Sequence, residues 1–144
     1  MLAQDESSAC ARRGARELLV KALYQWQLAG QSEREIKSQF SSLPEFDRID
    51  KLYFSDLLSI VLNNVKCLDQ KIEEHSSRDV RLLDAVSRSV LLLSAAELTQ
   101  RVDIPRKVVI NEAVELAKRY GPKDCFKFIN GVLDKLSVNV LDGE

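Results

Sequence analysis

Glycine and proline are scarce. The 144 residues include five glycines and three prolines, too few turn formers for a chain built from hairpins. Strand-like alternation of apolar and polar residues is also missing, so the expected fold is all-α. The three cysteines, Cys10, Cys67 and Cys125, are odd in number and form no CxxC pair. That pattern argues against a disulfide framework or a thiolate metal site, and for reduced thiols in a cytoplasm. There is one histidine, His75, and no His/Cys/Asp cluster with zinc spacing. No GxGxxG or GxxxxGK[ST] loop exists to cradle a phosphate cofactor. No apolar run reaches membrane length, and no signal peptide is visible at the N-terminus. A strong net charge is missing as well. The balance is −1, so no global field draws the chain to nucleic acid.

The charge is unevenly spread. Residues 31–79 hold ten acids and seven bases, a local net of −3, whereas residues 101–135 hold five acids and eight bases, a local net of +3. A basic surface assembled from the two ends of the chain is therefore expected.

The stretch Ala11–Leu28, ARRGARELLVKALYQWQL, organises the reading. Leu19, Ala22, Leu23 and Trp26 follow the i, i+3, i+4, i+7 spacing of one apolar helix face, with Trp26 read as core. Gly30 stands where a helix takes a left-handed cap. Arg12, Arg13 and Arg16 fall within about 100° on the helical wheel, and Arg13 is nearly in line with Tyr24. Cations at a helix start oppose the macrodipole. An external phosphate is a natural reason for them, and a solvated helix end is the plain alternative.

Residues 1–10 are read as a flexible tail, and 11–138 as one helical domain. Ser32 and Glu35 have capping-box spacing, giving a short helix that ends near Phe40. Pro44 breaks the following turn. One long helix is expected over about Arg48–Glu74, with Phe54, Leu57, Leu58, Val61, Val65, Leu68 and Ile72 as its stripe. His75–Arg81 reads as a break. The helix over about Leu82–Gln100 carries Val90–Leu93, apolar on several sides, and should be central. Asp103 and Pro105 mark the next start, Gly121 and Pro122 its end. A last helix over about Asp124–Leu136 buries Ile129, Val132, Leu133 and Leu136. The expected architecture is a compact bundle, with two sub-bundles sharing the central helices.

Four blocks, in order, resemble the NusB family of bacterial transcription antitermination factors. They are ARRGARELLVKALYQWQL, LYFSDLL at Leu52–Leu58, IPRKVVINEAVELAKRYG at Ile104–Gly121 and KFINGVLDKL at Lys127–Leu136. The resemblance covers nearly the whole chain. It implies two three-helix bundles and a heterodimer with NusE, a small-subunit ribosomal protein. It further implies binding to boxA RNA in ribosomal RNA leaders, and help for RNA polymerase in passing terminators. The family's arginine-rich start maps onto Arg12, Arg13 and Arg16. The chain departs at Gly14, where relatives often carry another base. That departure predicts weaker RNA binding or a later helix start. It departs again at Ser87, where some relatives hold an acid facing NusE.

Residue by residue, the resemblance implies an RNA site at Arg12, Arg13, Arg16, Asp124, Lys127 and Phe128, and a NusE surface at Tyr24 and Ser87. Phe128 falls beside the buried stripe. On pattern alone it is an edge-of-core residue, and in the functional reading it stacks on an unpaired base. Asp124 is an N-cap in the plain reading and also orders the RNA-facing turn in the other. Tyr24 is a boundary tyrosine or a partner contact. Asn111 and Glu112 have no nucleophile or metal ligand beside them, so no enzyme, cofactor or metal is expected. Two alternatives stay open: the NusB-like domain of a ribosomal RNA methyltransferase, which needs a downstream α/β domain not seen before Glu144, and an interaction bundle without an RNA role. The two basic helix ends are expected to lie side by side.

Overall fold

A computed structural model describes residues 2–141. It consists of seven α-helices: α1 Leu2–Ala29, α2 Glu33–Ser41, α3 Lys51–Asn63, α4 Val65–Glu74, α5 Ala85–Gln100, α6 Arg106–Tyr120 and α7 Cys125–Leu141. Short 3₁₀ turns stand at Pro44–Arg48 and Val80–Leu82. No strand occurs among the described residues.

Three of the helix starts have a side-chain cap. Ser32 and Glu35 form the reciprocal capping box at α2. Asp50 caps α3 by accepting from Tyr53 N, and Asp84 caps α5 by accepting from Ser87 N. Helix α1 ends on Gly30 at φ 67°, with its amide donating to the Trp26 carbonyl at 2.8 Å, as a left-handed cap requires. Gly121 ends α6 differently. Its backbone is extended, at φ −92°. A Cβ there would run into Cys125 Sγ and come within 2.9 Å of the Ala117 carbonyl. This glycine is required by close approach, not by handedness.

Helix α5 is the centre. Ser89 through Leu98 are all buried, and α5 packs on α1, α3, α4, α6 and α7. A helix buried all round needs no amphipathic stripe. Leu91, Leu92 and Leu93 are each fully buried, contributing roughly 1.5–3 kcal/mol apiece relative to exposure. Beyond α5, α1 packs on α2 and α3, and α7 packs on α4 and α6.

Five expectations change. Helix α1 begins at Leu2, ahead of Ala11, so the arginines lie well inside the helix and not in its first turn. The single helix over Arg48–Glu74 is two, broken at Asn64, whose φ of −132° leaves the helical region and whose Nδ2 donates to the Ile60 carbonyl at 2.7 Å. An asparagine that bonds local backbone offers it an alternative to the helix. The central helix starts at Ala85 rather than Leu82. Trp26 is only half-buried, at the core's edge beside Arg88. The last helix continues past Leu136 to Leu141.

Candidate nucleic-acid interface

The three arginines share a cleft but not a state. It is bounded by α1, the start of α3, the Asp103–Pro105 segment and the first half of α6. Arg12, Arg13 and Arg16 line it together with Asp50, Asp103 and Glu112. Three bases meet three acids, so the cleft is formally neutral.

Arg16 does not project. Its side chain is 4% exposed, and its Nε donates to Glu97 Oε2 at 2.9 Å. Glu97 is also buried and accepts from the Tyr53 hydroxyl. Burial pushes the Glu97 carboxyl above its ordinary value, against the pull of Arg16, Tyr53 and Arg12. The wheel put Arg16 with its neighbours, but the helix face it occupies turns toward α5. Arg12 is partly exposed, with Nη2 3.6 Å from Asp50 Oδ2 and its Cζ 4.3 Å from the Tyr53 ring centroid. Arg13 is the open member, 56% exposed, its fork on Glu112 with contacts of 3.1–3.3 Å. At Gly14 a Cβ would meet Ile49 Cγ2 at 2.8 Å. A larger residue at that position must displace Ile49, so the glycine allows α1 to approach the segment before α3.

The start of α7 is a second group. Asp124 adopts φ 65°, a conformation that aspartate tolerates better than most residues, and its carbonyl accepts from Lys127 N at 3.1 Å. Lys127 is 70% exposed, with Nζ 4.0 Å from Asp124 Oδ1. Ile129, Val132, Leu133 and Leu136 form the buried stripe as expected. Phe128 sits half-buried beside it, and Arg78 Cζ lies 4.4 Å from its ring centroid.

The two groups are not side by side. Helix α6 runs along α1 in the same direction: Arg13 meets Glu112, Glu17 meets Arg119, and Lys21 lies over Tyr120. The arginines therefore touch the first half of α6, and α7 begins beyond its far end. Glu112 and Tyr120 are eight positions apart along α6, about 12 Å of helix. Between the groups lie Lys21, Lys118 and Arg119. Lys118 is half-exposed, with Nζ 4.9 Å from the Phe126 ring centroid, and Lys127 approaches the same ring to 5.9 Å. The intervening cations and Phe126 were missed from sequence. Their only signal was the net of +3 over residues 101–135, which carries no direction in space.

On the proposed partner side, Tyr24 is 42% exposed. Ser87 is 2% exposed. Its hydroxyl interacts with the Cys125 thiol but makes no hydrogen bond of standard geometry. Its side chain cannot face a partner because α5 presents that position to α7. The two elements do meet: Gln27 Nε2 donates to the Ala85 carbonyl at 2.8 Å, pinning the end of α1 to the start of α5. Leu28, at the end of α1, and Leu82, before the start of α5, are exposed, as Tyr24 is. Asn111 and Glu112 line the cleft, Glu112 as the ion-pair partner of Arg13. Among the described residues, no group of three or more His, Cys, Asp or Glu is arranged to hold a metal, and no helix is long and apolar enough to cross a membrane.

Comparison with known proteins accounts for nearly the whole chain. The NusB family model matches residues 13–137. The transcription antitermination protein NusB of Alcanivorax borkumensis is 48% identical over 131 residues, 91% of this chain and 87% of that protein. NusB of T. maritima shares the fold with a TM-score of 0.77 at 32% identity, covering 88% of this chain and 90% of that one. A chain from a crystal structure of antitermination factors NusB and NusE in complex with dsRNA matches with a TM-score of 0.77 at 27% identity, covering 88% of this chain and 96% of that one. With four blocks in register, an all-helical fold and relatives matched over most of their length, the chain belongs to the NusB family.

Proposed function

We propose that this chain is a non-enzymatic, RNA-binding transcription antitermination factor. It pairs with NusE, binds boxA RNA in nascent ribosomal RNA leaders and helps RNA polymerase read through terminators in the cytoplasm. The observation that carries the RNA part is the row of cations from Arg12 and Arg13, past Lys118 and Arg119, to Lys127, with the half-buried rings of Phe126 and Phe128 at its end. Cations interleaved with aromatics suit a single strand, whose phosphates take the charges and whose unpaired bases stack. A duplex buries its base faces and would leave these rings idle.

In this reading RNA is an extended strand along α1 and α6, and the two ends of the row hold different parts of it. Arg12 and Arg13 bind phosphates. Arg16 acts from beneath, through the acids it anchors. Lys127 adds a phosphate contact, Asp124 shapes the turn, and Phe128 offers a base platform worth about 1–3 kcal/mol. NusE docks on Tyr24, Leu28 and the surface before α5, and Ser87 supports that surface from below.

The test is a salt titration of boxA and scrambled RNA binding by the protein–NusE complex. Arg13→Ala weakens both RNAs and flattens the salt slope by about 0.7 per lost phosphate contact. Phe128→Ala leaves the slope nearly intact and narrows the gap between boxA and scramble. Wild-type affinity and slope in Arg13→Ala would remove the basic helix from the site.

A further inference from the structure

Every open arginine on the RNA row is already held by a carboxylate: Arg12 by Asp50, Arg13 by Glu112, Arg119 by Glu17. The Arg13–Glu112 pair differs from the others in what lies beneath it. Both Nε and Nη2 of Arg13 donate to the two Glu112 oxygens, the two-pronged geometry that a guanidinium also presents to phosphate. The partners are unequally free. Arg13 is 56% exposed, whereas Glu112 is 16% exposed and set into α6. Behind Glu112 stands Arg16, with Nη1 4.0 Å from Glu112 Oε1. Arg16 Nη2 is buried with no hydrogen-bond partner.

We propose that Glu112 occupies, in the free protein, the place of an RNA phosphate on Arg13, and that Arg16 receives Glu112 when RNA displaces it. The inference rests on the RNA site proposed above and concerns how that site sets its affinity. Arg13 swings to a phosphate in one side-chain rotation. Glu112 keeps a cation because the unfilled Nη2 donor of Arg16 lies on the adjoining end of the same guanidinium. The exchange trades one carboxylate for one phosphate on Arg13 and leaves no buried charge unpaired. Glu112 is thus a built-in competitor, and Arg16 is a positioning residue rather than a phosphate ligand.

The experiment measures boxA binding by the full-length protein with NusE across a salt series, for Glu112→Gln, Glu112→Asp, Arg13→Ala and the Arg13→Ala/Glu112→Gln double variant. Removing the competitor in Glu112→Gln tightens binding about two- to fivefold at low salt, the range of an exposed ion pair. The salt slope stays close to that of the wild type, because Arg13 neutralises the same RNA phosphate in both. Glu112→Asp withdraws the carboxylate from Arg13 but keeps a charge beside Arg16. It shifts binding the same way by less, and stands in should the glutamine variant fold poorly. The double variant binds like Arg13→Ala alone. Tightening of equal size in the Arg13→Ala background would mean general charge repulsion and would overturn the proposal. So would unchanged or weaker binding by both Glu112 variants while Arg13→Ala loses affinity. If Arg13→Ala itself binds as wild type, the RNA site reading fails instead.

Discussion

Glu97 is the residue where burial and charge meet most sharply. Its carboxylate is 1% exposed and faces Arg16, Tyr53 and, further off, Arg12. Desolvation wins over these partners and holds its proton to higher pH than in the unfolded chain. In the window above the ordinary glutamate value of 4.5, the folded state therefore binds more protons than the unfolded state. Stability from this group is fully present below that window and is lost as pH rises through it. Glu97→Gln removes the effect. Urea unfolding of both proteins from pH 4 to 8 is expected to show a wild-type stability that declines relative to the variant as pH rises; a constant difference would sink this account. Tyr24 makes the opposite case, an aromatic left 42% exposed. Tyr24→Ala is expected to weaken NusE binding by at least about 1 kcal/mol, as truncation of an interface anchor does. A change under about 0.5 kcal/mol, typical of a neutral surface position, would take Tyr24 out of that surface.

At the scale of elements, two glycines separate close approach from flexibility. Gly121, between α6 and α7, has Cys125 Sγ and the Ala117 carbonyl where a Cβ would go, and Gly131, inside α7, has open space. Gly121→Ala overpacks the turn and is expected to lower stability by about 1–3 kcal/mol. Gly131→Ala gains helix propensity and is expected to raise it by about 0.5–1 kcal/mol. Thermal unfolding of the two variants should move in opposite directions. A shared direction would contradict the packing at the α6–α7 turn. The helices themselves were readable because their signals are local: the Ser32 box, the Gly30 cap, the α5 apolar run. The break at Asn64 was not, because the apolar stripe continues in register from Val61 through Leu68 to Ile72 and masks a change of direction that one side-chain bond to Ile60 accompanies.

At the scale of the molecule, the packing order fixes how far apart the two basic groups stand. Arg13 and Lys127 share no partner, Arg13 pairing with Glu112 and Lys127 with Asp124. Losses in RNA binding free energy for Arg13→Ala and Lys127→Ala are accordingly expected to add within about 0.5 kcal/mol in the double variant. A coupling beyond about 1 kcal/mol would restore the compact, side-by-side site that the sequence suggested. The sequence by itself determined the all-helical fold, most helix ends, the core stripes and the family, since periodicity, caps and motif blocks are properties of neighbouring residues. Only the tertiary structure decided which charges are available. Arg12, Arg13 and Arg16 look alike on a helical wheel, yet one is buried on Glu97, one shared with Asp50 and one open. Ser87 looks like a surface serine and lies under α7. The wheel describes a helix alone in water. Availability depends on which neighbour covers each face and which acid it carries, and those neighbours come from α3, α5, α6 and α7, far away along the chain.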